Sequence, residues 1–241
     1  MFSSGIVESD ELESHSTGFS ATKITEARVV RIPLREEQAR LTHARIATAA
    51  AALFVERGYA PTKIVDVARA AGVSAQTVYN TFGTKPALLK AAYDLTLAGD
   101  PDPVPMSERP AVVAVEQLTD PAAMVHGYVS LARQALDRLG PLMLQVVAGA
   151  AAGDADLQAH QQITDRERLT GTGQLAQRLD DLGGLAAEVT VERARDAIWA
   201  MFSVQVWQLL TGVLKWTGED YEQWIGHTLC ASLLTTPDGA Q

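Results

Sequence analysis

One cysteine, Cys230, stands in 241 residues. A lone thiol excludes a disulfide framework and a cysteine-rich zinc module, and it fits a reducing compartment. Aromatic residues are sparse at 6%. A basic excess is missing too: 20 Lys and Arg against 29 Asp and Glu leave a net charge of −9, which excludes a chain that coats nucleic acid or anionic membrane through bulk charge. The start, Met1-Phe2-Ser3-Ser4-Gly5, has no basic stretch followed by an apolar one, so the expected location is cytoplasmic rather than secreted. Gly-rich phosphate loops, His-Glu-x-x-His and Gly-x-Ser-x-Gly do not occur. The Asp180-Asp181 pair has no evident partner acid, so neither an enzyme nor a cofactor is expected. The uncharged run from Ala197 to Leu214 reaches only the lower limit for crossing a bilayer. It holds Ser203, Gln205, Gln208, Thr211 and Gly212, and it reads as a helix buried on all sides, within the chain or against a second copy, with no membrane partner.

What is present is apolar material, 47% of the chain, enough to build a core. Charge is unevenly spread. Residues 1–22 carry four acids and no Lys or Arg, residues 23–98 carry eleven bases and six acids, and residues 99–241 carry nine bases and nineteen acids. One basic segment lies between two acidic ones. The Ser/Thr/Glu-rich residues 1–33 lack periodicity and read as a flexible extension. Beyond them the apolar period is helical. Ile46, Ala50, Leu53 and Phe54 share one face of a helix that Gly58 ends, with Pro61 in the connection. Thr62 is placed to cap a second helix with the stripe Ile64, Val67, Ala68 and Ala71; Ser74 caps a third, which Gly83 stops, and Thr84 a fourth. Five of the ten prolines fall in 99–121, which reads as a connector between two helical blocks. Helical patterns then cover about 121–139, 141–152, 155–182, 190–217 and 219–235, punctuated by Gly140-Pro141, Gly183-Gly184 and Gly218, with Thr217 and Asp220 spaced as a capping box. The expected fold is all-α, of about nine helices: an extension over 1–33, a head over 34–98 and a helical bundle over 99–241.

Thr62 to Phe82 has the form of a helix-turn-helix: Ala68 is small where the second helix crosses, Gly72 allows the turn, and Val78 fills the angle between the helices. Ile46, Ala49-Ala50, Leu53-Phe54, Gly58-Tyr59, Thr62, Ile64, Val67-Ala68, Ala71-Gly72-Val73-Ser74, Thr77-Val78-Tyr79, Phe82, Lys85 and Leu88-Leu89 surround and complete it. On these residues Arg45–Leu89 resembles the DNA-binding domain of the tetracycline-repressor (TetR) family of bacterial transcription regulators. Pro86 departs from that pattern, standing where the family usually has an acid, so a capping interaction is expected to be lost within the same fold. The resemblance implies a homodimeric, ligand-responsive regulator, in the first place a repressor, that binds a palindromic double-stranded DNA operator. The other reading is a small-molecule-binding or interaction protein of the same fold with an inactive head.

With Val78 and Phe82 turned inward, Gln76, Thr77, Tyr79, Asn80 and Thr81 face outward, and Gln and Asn can bond adenine bidentately. By the resemblance, Tyr79 reaches a phosphate. Thr62, Lys63, Ser74, Thr84 and Lys85 lie at helix starts, where N–H groups and positive charge favour phosphate oxygens. Arg28, Arg31 and Arg35 read as a helical extension, as a minor-groove arm or, in preference to either, as plain linker. For an apolar small-molecule effector the bundle offers Met124, Tyr128, Met143, Gln145, Trp199, Phe202 and Trp207, each of which taken singly suits a packed core better. His126 and His160 suit either a cavity wall or an ordinary helix surface, and His43 a phosphate or solvent. His227 and Cys230, three apart, suit packing better than a metal. The stripe Tyr221, Trp224, Ile225, Leu229 and Leu233 is wide enough to call for a partner, and the resemblance makes that partner a second copy.

Overall fold

The computed structural model describes residues 34–235. The extension and its Arg28 and Arg31 lie outside them. Ten α-helices are found among the described residues: α1 (Leu34–Arg57), α2 (Ile64–Ala70), α3 (Ala75–Phe82), α4 (Lys85–Ala98), α5 (Pro110–Glu116), α6 (Pro121–Ala151), α7 (Ala155–Asp181), α8 (Val191–Met201), α9 (Val204–Trp207) and α10 (Gly218–Leu233). A 3₁₀ turn covers Met106–Glu108 and a π-helical segment covers Gln208–Val213. A single isolated bridge, Leu185 to Leu234, is the only β pairing among the described residues. No helix there is long and apolar enough to cross a membrane.

Local chemistry sets most boundaries. Gly58 ends α1 at φ +83°, a left-handed conformation glycine adopts without strain. Ser74, Thr84, Asp120, Asp154, Thr190 and Ser203 each accept a first-turn N–H from the helix they precede. Thr217 and Asp220 close a capping box on α10. Such caps contribute about 1 kcal/mol each. Pro86 sits in the first turn of α4, where a missing N–H costs nothing, and the Thr84 cap is still made.

Three expectations need correction. Gly140-Pro141 does not break a helix: α6 runs on through Pro141. Gly140 is there because the Trp207 ring lies where a Cβ would be, 2.5 Å from its nearest atom. The proline-rich connector contains a helix, α5, which begins at Pro110 because proline's fixed φ suits a first helical position. The 190–217 pattern is three pieces. Ser203 caps a fresh helix after Met201, and the π segment pushes Leu209, Val213 and Leu214 outward at 57%, 61% and 59% exposure, so this stretch is not buried on all sides.

The long α6 is the axis of the molecule, packed by α1, α4, α5, α7, α9 and α10. Ile46, Phe54, Leu88, Leu89 and Tyr93 of the first four helices and Met124, Leu142, Leu175, Ile198, Ile225 and Leu229 of the later ones belong to one continuous apolar cluster.

Candidate nucleic-acid interface and effector cavity

α2 and α3 form the helix-turn-helix. Ala68 and Val78 are buried where the helices cross, and Gly72 makes the turn at φ +65°. The apolar side of α3 is thereby committed inward. Gln76, Tyr79, Asn80 and Thr81 are exposed, Tyr79 by half its surface. Gln76 Nε2 donates to Asn80 Oδ1 at 2.8 Å, so the two amides act as a pair. Thr81 donates its hydroxyl to Thr77 O, and Ser74 accepts the Thr77 N–H while sharing a hydrogen bond with the Thr77 hydroxyl. Lys63 is exposed at the start of α2, and Thr84 at the start of α4. Arg35 is exposed in the first turn of α1.

Two expected contact residues have other work. Thr62 does not cap α2; it is 2% exposed and donates its hydroxyl to Gly58 O at 2.7 Å, which leaves nothing for a phosphate. Its short side chain is used to lock the α1–α2 corner. Lys85 Nζ donates to Tyr59 O and Ala60 O at 2.6 and 3.2 Å and lies 4.1 Å over the Tyr59 ring. Burial pulls the Lys85 pKa down, and Asp154 and Asp156 oppose that pull. Tyr59 in turn donates its hydroxyl to Asp156 Oδ2 at 2.8 Å; burial first, and then Asp156, raise its pKa. No local pattern announces this pair, whose members are 97 residues apart. His43 packs on Phe82, ring centroids 4.6 Å apart, and burial lowers its pKa.

Behind the head lies a cavity of about 300 Å³ among α4, the 99–121 connector, α6, α7 and the α8–α9 junction at Phe202. Tyr128 and Phe202, both expected, line it, together with Tyr93, Met106, Glu116 and Arg168. The other five expected residues do not. Met124 and Met143 are core, and Gln145 is exposed near Gly58. Trp199 stacks under the Arg168 guanidinium, and Trp207 packs on Gly140 while its Nε1 donates to Asp137. Size and apolarity mark such residues for burial, and burial is satisfied by packing as well as by a pocket. His160 sits on the edge of Tyr93, and His126 meets His227 with ring centroids 5.8 Å apart rather than facing the cavity.

The α10 stripe also needs correction. Tyr221, Ile225, Leu229 and Leu233 are 0–2% exposed within this chain, because that face of α10 packs on α6. Only Trp224 of the set is open, at 41%, with its ring edge-on to Trp216. The apolar side chains left uncovered nearby are Leu209, Val213 and Leu214.

Residues 46–92 match the profile of the bacterial regulatory proteins of the tetR family. A stretch of 79 residues is 39% identical to the HTH-type transcriptional regulator AlkX of Mycobacterium tuberculosis; it spans 33% of this chain and only 37% of that relative's length. In three dimensions the chain is similar to a TetR transcriptional regulator of Chloroflexus aurantiacus (TM-score 0.61, 21% identity, 83% of this chain and 100% of that one). It is also similar to NalD, the secondary repressor of the MexAB-OprM multidrug efflux pump of Pseudomonas aeruginosa (TM-score 0.59, 20% identity, 82% and 98%). At these identities the structural likeness is one of fold.

Proposed function

Since residues 46–92 make the chain a member of the tetR family of bacterial regulatory proteins, we propose that it is a DNA-binding transcription regulator, a homodimeric repressor released from a palindromic operator by a mostly apolar small molecule. The observation that carries the reading is the exposed polar face of α3. Its inner side is fixed by Val78, and its outer side offers the coupled Gln76–Asn80 amides and Tyr79. With Gln76 Nε2 already donating to Asn80, the pair keeps a Gln76 acceptor and an Asn80 donor side by side. That is the complement of adenine's N6 donor and N7 acceptor in the major groove. Tyr79 and Lys63 are assigned to phosphates, with the Ser74 and Thr84 helix starts beside them. Lys85 acts indirectly, by tying the Tyr59–Ala60 corner to the start of α4.

The second copy is assigned to Leu209, Val213, Leu214, Trp216 and Trp224, since a stable monomer rarely leaves so much apolar surface uncovered in one place. Pairing there would carry two α3 helices to successive major grooves, about 34–36 Å apart. The effector is assigned to the 300 Å³ cavity. The connector that lines it also holds α1, through Arg40 Nη1 to Asp102 Oδ1 at 2.8 Å. An occupant that shifts the connector would alter head spacing, and by linkage DNA and effector would weaken each other's binding by the same factor, typically about 1–3 kcal/mol.

Selection of sites from random duplex DNA with the purified chain tests the proposal. The expected product is a palindrome with half-site centres about one helical turn apart. Tyr79→Ala should weaken binding to every sequence and flatten its salt dependence, while Gln76→Ala should relax choice at one base position. A folded dimer that enriches no sequence, with or without small-molecule extracts, would refute it.

A further inference from the structure

The walls of the 300 Å³ cavity carry two formal charges, and they are not equally committed. Arg168, on α7, is already neutralised: Nη1 lies 3.1 Å from Asp165 Oδ1, Nη2 donates to Trp199 O at 2.9 Å, and the guanidinium lies 4.9 Å over the Trp199 ring. Glu116, at the end of α5, has only a neutral partner, the Tyr128 hydroxyl, which donates to Oε1 at 3.2 Å. Among the described residues no Lys, Arg or His comes within ion-pair distance of it. The wall therefore bears one uncompensated negative charge. The same cavity is lined by three aromatic rings, Tyr93, Tyr128 and Phe202, of which Tyr128 touches Glu116, and by the polarizable thioether of Met106. Ring faces attract cations and repel anions, and a carboxylate beside them adds to both preferences. The wider field has the same sign: residues 99–241 carry nineteen acids against nine bases, which raises the local concentration of cations.

Building on the assignment of this cavity to the effector, we propose that its ligand is an organic cation: an apolar, ring-bearing body with an ammonium or equivalent charge that sits between Glu116 and the Tyr128 ring. The apolar part fills the space walled by Leu136, Leu139 and Leu175, and the charge fixes its orientation at the Glu116 end. An anionic ligand would face an unpaired carboxylate and would have to compete with Asp165 for the only guanidinium.

The test is calorimetric titration of the full-length chain with three probes of nearly one shape: benzyltrimethylammonium, its uncharged carbon isostere 2,2-dimethylpropylbenzene, and 3-phenylpropanoate. The cation should bind on the order of tenfold more tightly than the isostere, the size of a partly desolvated cation–π and carboxylate contact, and the anion most weakly. Glu116 is exposed, so Glu116→Gln should leave the fold intact; it should erase most of the preference without altering affinity for the isostere. Ala135→Phe, which fills the cavity from α6, should abolish binding of all three probes. Equal or tighter binding of the isostere or the anion, still lost in Ala135→Phe, would overturn the ligand class and leave the cavity as effector site. Cation binding that survives Ala135→Phe would place the cation elsewhere and overturn the proposal. Failure of every probe to bind would overturn both the ligand class and the assignment of the cavity.

Discussion

Lowering the pH from 7.5 to 5 asks His160 to take up a proton in a place that resists it. The ring is 5% exposed, packs edge-on against Tyr93 at 5.2 Å, and leaves Nε2 buried without a partner. Burial is the main cause of a pKa pushed down to about 4, the positive charge of Lys90 adds to it, and Asp94 opposes it. In the unfolded chain the group titrates near 6.5. The folded value is the lower one, so the unfolded state binds more protons. The stability concerned is fully present above about pH 6.5 and is lost as pH falls toward 4. At pH 5 the difference amounts to about 2 kcal/mol for a fully enclosed ring, and about 1–2 kcal/mol with allowance for residual solvent contact. In a domain of this size that lowers Tm by about 4 °C. Thermal unfolding followed by circular dichroism at pH 7.5, 6.5, 5.5 and 5 should show this loss in the parent chain and a much shallower one in His160→Gln. His43 and the carboxylates are common to both proteins, so the difference between the two slopes isolates His160. Parallel slopes would refute the reasoning and show that the ring is solvated in solution.

Two further outcomes follow from packing and from the corner of the head. Gly140→Ala places a methyl 2.5 Å from a Trp207 ring that is also held by its Nε1 hydrogen bond to Asp137, so the ring cannot step aside freely; a loss of about 1–3 kcal/mol is expected by urea unfolding, and a neutral result would mean that α9 is loose. A double-mutant cycle of Tyr59→Phe and Asp156→Asn should give a coupling of about 1–2 kcal/mol by the same assay, as suits a part-buried hydrogen bond to a carboxylate, and additive effects would show that the α1–α2 corner and α7 are not tied at this point.

The head was legible because its signals are local. Gly58 and Gly72 need positive φ, Ser74 and Thr84 cap the helices they precede, and Ala68 and Val78 fall where two short helices must cross. The Thr217–Asp220 capping box was legible for the same reason. Thr62 shows the limit of such reading: a threonine before a helix suits a cap, and whether it makes one depended on the carbonyl of Gly58, which the fold delivers to it. At Gly140-Pro141, residue types that end helices elsewhere stand inside one, and the glycine makes room for a tryptophan sixty-seven positions away. The stripe Tyr221, Ile225, Leu229 and Leu233 announced a buried face without naming what buries it; α6 does. The cavity was the least legible feature, since four of its chemically distinctive residues, Tyr93, Met106, Glu116 and Arg168, come from three separate parts of the chain and carry no common pattern.

The continuous apolar cluster that runs from Ile46 of α1 to Leu233 of α10 has a consequence for the life of the protein in a cell. The reading head shares its interior with the bundle, so it has no separate melting point to fall back on. Under the proposed function, a ligand that occupies the bundle at a hundred times its dissociation constant adds about 2.7 kcal/mol to the stability of the whole, and the head gains the same protection from proteases as it leaves DNA. Abundance and activity would then move in opposite directions as effector rises: more chain survives while less of it is bound. Under the proposed function, a search for variants that leave DNA without effector will also collect chains weakened anywhere along this shared interior, which lose DNA binding because they are degraded. Separating the two kinds requires only that the amount of protein be measured alongside its occupancy of DNA.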